Sequence, residues 1–223
     1  ETHFNGEAVL RIEGILNGTT NYILTKAEEE GLSPEEALRQ AQVAGFAEAD
    51  PSSDISGSDA RYKLTILIAH AFEELRPADL AFGAQHGWRI RSIASAWLNA
   101  EGRLVAHVLP TFVAGNDALA LVREEYNAVR ITGSYSGTHV LQGKGAGKLP
   151  TGLAVLGDVQ QLVRGGGYAY AKVDDRAPLL SAGRERIAVY ARIPATHQEA
   201  LSHFDQVRII DDGGDPVCLT GTV

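Results

Sequence analysis

The residues with the clearest chemical potential lie in one acidic segment, residues 48–63. Four carboxylates fall within twelve residues, the first at Glu48 and the last at Asp59, and Lys63 follows them. Asp59 and Lys63 are four apart, so on a helix their side chains meet on one face. Partial burial would disfavour the ammonium form of Lys63 and ease proton exchange near neutral pH, although a neighbouring carboxylate opposes that shift. The segment therefore has the residue types for acid–base chemistry centred on Lys63.

A structural interpretation of the same segment stands beside the chemical one. Aspartates ahead of a helix commonly cap it or interact with its dipole, and an Asp–Lys pair at this spacing is often a solvated surface pair. The residues alone leave both interpretations open. The carboxylate spacing does not match that of a calcium loop, whose ligands alternate along the chain. We therefore expect no metal site in this segment.

A glycine-rich stretch, GKGAG at residues 143–147, is the second candidate. It does not match a phosphate-binding loop, because Leu149 stands where Ser or Thr should follow the lysine. It does not match the dinucleotide fingerprint either, because Lys148 occupies the last glycine position. The loop could let backbone amides approach a ligand ahead of a helix, or it could simply connect a strand to a helix.

Hydrolase chemistry is poorly supported, since the single cysteine, Cys218, has no base partner.

The elements that must position these residues follow from periodicity and turn chemistry. Thr20 is suited to cap the first helix and Gly31 to end it, while Ser33 is suited to cap the second and Gly45 to end it. The order of elements predicts an α+β fold, with helices covering one face of a mainly antiparallel or mixed sheet. The predicted elements are a strand at Val9–Ile15, helices at 21–30, 34–44 and 60–75, strands at 104–113, 126–133 and 139–142 with a short helix at 119–124 among them, and a helix at 152–163.

The bulk composition limits the class of protein. The chain has 223 residues, 44% hydrophobic and 22% charged, and a formal charge of −8, which argues against general binding of nucleic acids. No apolar run is long enough to cross a bilayer, and the one cysteine fits a reducing compartment, so a cytoplasmic protein without membrane contact is expected. The chain begins at Glu1 and contains no methionine. We expect it to start inside a longer protein.

Three separated stretches resemble the homoserine dehydrogenases. GILNGTTNYIL at 14–24 resembles a family signature, and GFAEADP at 45–51 with the positions up to Lys63 resembles the family's acidic catalytic segment. YNAV at 126–129, followed by QGKGAG at 142–147 and Pro150-Thr151, resembles later blocks in the same order. The match covers roughly residues 9–164. Each block alone is weak, but the ordered set is specific.

The resemblance implies an oxidoreductase that converts L-homoserine and aspartate 4-semialdehyde with NAD or NADP, in the threonine and methionine branch of amino-acid biosynthesis. Lys63 would exchange the proton of the substrate hydroxyl, and Asp59 would orient Lys63 or that hydroxyl. Glu48 would hold the substrate ammonium, with Asp54 binding near the same group. These roles agree with the chemistry of the segment, because an alcohol that loses hydride needs a base.

The same resemblance assigns two further groups of residues. Gly18 and Thr19 would line the substrate pocket, and so would Phe46, which stands where many members have tyrosine. Gly145 and Gly147 would lie close to the cofactor. No metal ligand is expected.

The resemblance also implies a division of the chain. Residues 1–175 would form the substrate, catalytic and dimerisation domain of a homodimer, with residues 143–165 packing toward an absent nucleotide-binding domain. Residues 176–223 would form a small β-rich extension, either part of a regulatory module or extra strands. The alternative function is a dimerisation or scaffold fragment with no activity without that nucleotide-binding domain. A related semialdehyde or sugar-phosphate dehydrogenase is disfavoured, because those enzymes commonly use a cysteine near the start of this domain and Cys218 is at the far end.

Overall fold

The chain divides into two compact units, Glu1–Leu179 and Leu180–Val223. The computed structural model describes residues 7–47, 75–145, 147–166, 181, 188–192, 199, 202, 206–210 and 217–221. Residues 60–74 of the helix predicted at 60–75 lie outside these residues. The elements of the first unit are β1 Val9–Ile15, α1 Gly18–Glu30, α2 Pro34–Ala44, α3 Pro77–Gln85, β2 Trp88–Leu98, β3 Leu104–Ala114, β4 Tyr126–Gly133, β5 Gly137–Lys144 and α4 Lys148–Val163.

The five strands of the first unit form one antiparallel sheet in the order β3-β2-β1-β4-β5. β1 lies at the centre, where Ile12 pairs with Ala96 of β2 on one side and with Ile131 of β4 on the other. β2 and β3 pair along their full length as a hairpin. The sheet and its helices confirm the predicted α+β class, and β1 has the bounds that the sequence predicted.

The core lies on one face of this sheet. Ile15, Ile93 and Ala128, from β1, β2 and β4, pack with Leu119 and Val122 of the segment between β3 and β4. The short helix predicted at 119–124 is wrong, because this segment forms turns. Arg91 donates to the carbonyl of Ala120, which in a helix would accept the N–H of Glu124, and that N–H instead donates to the Thr25 hydroxyl at 3.1 Å.

α1 and α2 form a helical hairpin ahead of the acidic segment. α1 begins at Gly18 rather than at residue 21, because Asn17 and not Thr20 is its N-cap. The Asn17 side chain accepts the Thr20 N–H at 2.9 Å. The other predicted helix ends are confirmed: Ser33 caps α2, while Gly31 and Gly45 end the two helices in left-handed conformations that glycine adopts without strain.

α3 is a helix that the sequence analysis did not predict. It has only nine residues, too few for a clear periodic pattern. Pro77 stands at its start, and the carboxylate of Asp79 accepts the N–H of Arg76 at 2.8 Å. Phe82 is buried and packs its ring against Phe112 of β3 and Trp88 of β2. α3 therefore covers one end of the sheet face opposite the core.

α4 begins at Lys148, earlier than the predicted residue 152, and has no buried residue. The helix contains many leucine and valine side chains, and all of them are exposed in this chain. Within the described residues no helix is both long and apolar enough to pass through a bilayer. The exposed apolar residues of α4 are Leu149, Leu153, Val155, Leu156, Val159, Leu162 and Val163.

The second unit contains a small antiparallel sheet. Its strands are β6 Val189–Arg192, β7 Gln206–Ile210 and β8 Val217–Gly221, in the order β6-β8-β7. Cys218 of β8 pairs with Ala191 on one side and with Ile209 on the other.

Candidate active site

The first turn of α1 meets the end of α2. Gly18 and Thr19 are buried, and the hydroxyl of Thr19 donates to the backbone carbonyl of Phe46 at 3.0 Å. The ring of Phe46 lies 5.6 Å from that of Tyr22, one turn further along α1. Three of the residues predicted to line the substrate pocket are therefore neighbours, although 27 positions separate Thr19 from Phe46.

Gly18 packs directly against the residues where β4 begins. A Cβ on Gly18 would lie 2.8 Å from the carbonyl oxygen of Glu125 and 3.4 Å from Oδ1 of Asn127. Gly18 does not have a positive φ, so it is the close approach and not the backbone conformation that requires glycine here. This contact fixes the position of the α1 turn relative to the sheet.

Gly145, predicted to lie near the cofactor, packs against the same strand from another direction. A Cβ on Gly145 would lie only 2.0 Å from Nδ2 of Asn127 and 2.4 Å from its Cγ. Gly147 differs, because its φ of 110° lies in the region that L side chains rarely adopt. The two predicted cofactor glycines are thus required for different reasons, one spatial and one conformational.

An open cleft of about 980 Å³ lies beside these contacts. Phe46, Glu125 and Lys144 line it, together with Gly147 and the first turns of α4. A cleft of this size is large enough for an amino acid or for part of a nucleotide. It joins one predicted substrate residue, Phe46, to one predicted cofactor residue, Gly147.

Glu125 and Lys144 are a charged pair in this cleft that the sequence analysis missed. The Glu125 side chain is 4% exposed, and one of its carboxylate oxygens lies 3.0 Å from Nζ of Lys144. The hydrogen bond to Glu125 raises the pKa of Lys144, so the ammonium form is favoured at neutral pH. The cleft therefore contains a buried carboxylate and a half-exposed cation at the entry to the glycine-rich loop. Glu125 immediately precedes the YNAV block at 126–129. This position next to a motif was the feature of the sequence that could have indicated Glu125.

Two buried polar side chains hold the segment that carries Glu125. Asn21 donates through Nδ2 to the carbonyls of Val122, Glu124 and Tyr126 at 3.0–3.3 Å. The fully buried Arg91 donates to the carbonyls of Ala120 and Val122, and its charge is balanced by Glu28 of α1 at 2.9 Å. Asn21 belongs to the NGTTN motif, but only the tertiary structure shows that it binds a strand entry about a hundred residues away.

The predicted catalytic residues Lys63 and Asp59, and the predicted ammonium-binding residues Glu48 and Asp54, lie outside the described residues. Across the part of the chain that the structure describes, no group of three or more His, Cys, Asp or Glu side chains could hold a metal ion. The structure therefore brings together Gly18, Thr19 and Phe46, and it places Gly145 and Gly147 beside them.

The family model described as homoserine dehydrogenase matches residues 1–160. The chain belongs to the homoserine dehydrogenase family. Homoserine dehydrogenase of Synechocystis is 34% identical over 224 residues, covering 93% of this chain and 48% of that protein. The enzyme of Mycobacterium tuberculosis is 37% identical over 179 residues, covering 71% of this chain and 40% of that protein. The chain thus spans less than half the length of these two relatives, and the resemblance seen in the sequence motifs is confirmed.

Solved homoserine dehydrogenases share the fold. A structure from Thiobacillus denitrificans is similar with a TM-score of 0.75 and 27% identity, covering 99% of this chain and 59% of that chain. A Staphylococcus aureus homoserine dehydrogenase is similar with a TM-score of 0.65 and 27% identity over 98% of this chain and 60% of that one. A hyperthermophilic archaeal homoserine dehydrogenase mutant in complex with NADPH matches with a TM-score of 0.53 and 28% identity, over 74% of this chain and 50% of that one.

Proposed function

We propose that the protein carrying this chain interconverts L-homoserine and aspartate 4-semialdehyde with NAD or NADP, in the threonine and methionine branch of amino-acid biosynthesis, and that this chain supplies the substrate pocket. The observation that carries the proposal is one cleft lined by both Phe46 and Gly147, with Thr19 bonded to Phe46 and with Gly18 and Gly145 packed on Asn127. The five predicted residues among them come from three separate parts of the sequence. Family membership and this convergence support the same reaction class.

The substrate is an amino acid with a hydroxyl group, and the acidic segment has groups suited to both ends. Glu48 and Asp54 hold the substrate ammonium by charge, and Lys63 takes the hydroxyl proton as the alcohol is oxidised. Asp59 keeps Lys63 oriented. The α1 turn, fixed by the Thr19 bond to Phe46, forms the pocket wall.

The glycine-rich loop fits a nicotinamide cofactor, which accepts the hydride when bound. The archaeal relative in complex with NADPH supports a cofactor of this class. Gly145 and Gly147 present backbone without side chains, and the N-cap Gly147 leaves the start of α4 without a side-chain cap. Polar ligand groups can therefore approach the backbone closely at this point. The loop residues hold the cofactor near the cleft, and NAD and NADP are equally compatible with them.

Two exposed apolar surfaces fit the expected partners within the whole protein. α4, within residues 143–165, packs its exposed leucine and valine side chains against the nucleotide-binding domain.

The second surface is the sheet face opposite the core, where Ile12 pairs with Ala96 and Ile131 and is 43% exposed. A second copy of the chain covers this face in a homodimer, because a two-fold axis joins identical apolar patches. Light scattering on an Ile12→Glu variant tests this, and a mass unchanged from a wild-type dimer would contradict it.

Replacement of Lys63 tests the proposed reaction. Lys63→Ala in the full-length protein is expected to lower kcat for homoserine oxidation by about 10²–10⁴-fold, the usual contribution of a positioned acid–base group. Lys26→Ala is the matched control, because Lys26 pairs with Glu30 along α1 and has no role in the proposed reaction. The assay follows reduced cofactor by its absorbance. Turnover by Lys63→Ala within a few-fold of the control would contradict the assignment, and absence of turnover in the wild type would favour the scaffold function.

A further inference from the structure

One side chain, Asn127, contacts both parts of the proposed site. Its Oδ1 lies within van der Waals reach of a Cβ at Gly18, and its amide occupies the space that a Cβ at Gly145 would need. Its Nδ2 also donates to the carbonyl of Leu16 at 3.4 Å, in the turn that leads into α1. The amide group of Asn127 is therefore packed between the substrate-pocket turn and the cofactor loop.

The cross-strand pairing keeps Asn127 from moving away from either neighbour. Asn127 stands opposite Gly143 in the β4–β5 ladder, so the loop that follows β5 starts beside it. Its Oδ1 is buried and has no hydrogen-bond partner among the described residues. A buried amide oxygen without a partner costs stability, so a position that retains one calls for an explanation.

We propose that Asn127 is a positioning residue that sets the separation between the α1 turn at Gly18 and the loop at Gly145, and with it the approach of substrate to cofactor. The inference rests on the proposed function and extends it to a residue that touches neither ligand. Reactions between two bound groups are sensitive to this separation, because a misplacement of about 1 Å can cost about 10²-fold in rate. The space requirement at Gly145 follows from the same packing.

The alternative is that Asn127 only stabilises the start of β4. In that case its removal would lower the unfolding midpoint and leave kcat and the KM values of the folded enzyme unchanged. The positioning role predicts the reverse: a modest change in midpoint, a kcat lowered at least ten-fold, and raised KM values for homoserine and cofactor. Asn127→Asp keeps the shape of the side chain but has no donor for the Leu16 carbonyl, so it is expected to recover only part of the Asn127→Ala loss.

A double-variant cycle tests the contact itself in the full-length protein. Gly145→Ala is expected to raise the cofactor KM at least ten-fold, because its Cβ overlaps the Asn127 amide. Asn127→Ala removes that amide, so the Asn127→Ala/Gly145→Ala double variant is expected to be no worse than Asn127→Ala alone. Gly147→Ala is the matched control: its strain is conformational, so its effect is expected to multiply with that of Asn127→Ala. Multiplication in both cycles would overturn the proposal, as would a wild-type kcat for Asn127→Ala.

Hydrogen–deuterium exchange gives a readout that needs no turnover. Asn127→Ala is expected to raise amide exchange at least ten-fold both at residues 16–20 and at residues 143–149, with β2 unchanged. Faster exchange in only one segment, or equally in β2, would overturn the coupling. A wild type that oxidised no homoserine would contradict the proposed function. The exchange experiment would still decide whether Asn127 couples the two segments, because it needs no turnover. If the alanine variant does not fold, Asn127→Ser takes its place in both experiments under the same criteria.

Discussion

The Glu28–Arg91 pair gives the sharpest test of how the site is held to the sheet. The Arg91 side chain is 0% exposed, and Glu28 is 10% exposed with a carboxylate oxygen 2.9 Å from the guanidinium. The other carboxylate oxygen accepts the backbone N–H of Ile90 at 3.0 Å. Glu28 lies on α1 and Arg91 on β2, so this pair attaches the helix that carries Gly18 and Thr19 to the sheet. Removing the carboxylate leaves a buried cation without its counter-charge.

Removal of one partner from a buried ion pair costs about 3–5 kcal/mol, because the remaining charge is uncompensated. Glu28→Gln is expected to lose this amount while keeping an acceptor for Ile90. Glu28→Ala also leaves the Ile90 N–H without an acceptor, which adds about 1–3 kcal/mol. With a urea dependence of about 2 kcal/mol per molar, the glutamine variant should lower the unfolding midpoint by about 1.5–2.5 M.

Tryptophan fluorescence suits the measurement, because both tryptophans of the chain, Trp88 and Trp97, lie on β2 with Arg91. Glu36→Gln is the matched control, since Glu36 pairs with Arg39 on the exposed side of α2 at 2.6 Å and such surface pairs contribute little. If Glu28→Gln and Glu36→Gln unfolded at the same urea concentration, the backbone carbonyls alone would satisfy Arg91 and the argument from buried charge would be wrong.

Three further predictions follow from contacts around the site. Gly18→Ala places a Cβ 2.8 Å from a backbone oxygen of the strand entry, and we expect the homoserine KM to rise at least ten-fold. Gly152→Ala meets no atom of this chain within 4 Å and should leave the homoserine KM unchanged; equal effects would refute the steric reasoning. Asn21→Ala removes the two N–H donors that serve three carbonyls of the strand entry and should cost about 2–4 kcal/mol in urea unfolding. A loss within error would show that water replaces them. Burial favours a higher pKa for Asp117, but hydrogen bonds from a backbone N–H and from Arg130 outweigh it and lower the pKa. The stabilisation by the Asp117 carboxylate is therefore present above about pH 4 and lost as the pH falls through the lowered pKa. The urea midpoints of the wild type and Asp117→Asn should converge below about pH 4, and a constant difference would contradict this.

The sequence predicted part of the candidate site and missed part of it for a physical reason. Gly18, Thr19, Phe46, Gly145 and Gly147 belong to ordered local motifs, and the structure places them near one another. The missed residues act through contacts between distant segments, which no local pattern records. The members of this second group are Asn21, Glu125, Asn127 and Lys144.

Local chemistry is what the sequence by itself determined. Cap residues ended α2 at Gly45, alternation of side chains defined β1, and the order of helices and strands indicated the α+β class. These features depend on interactions within a few residues, so the sequence contains the information directly.

The tertiary structure decided which backbone groups remain available to helices. Residues 119–124 have helical composition but form turns, because Arg91 binds the Ala120 carbonyl and Thr25 accepts the Glu124 N–H, the two groups that a helix would pair. It also decided why two glycines are required: Gly18 and Gly145 lack positive φ values, and only their close approach to the start of β4 excludes a side chain. Packing between segments far apart in the chain sets these constraints, and the sequence alone could not show them.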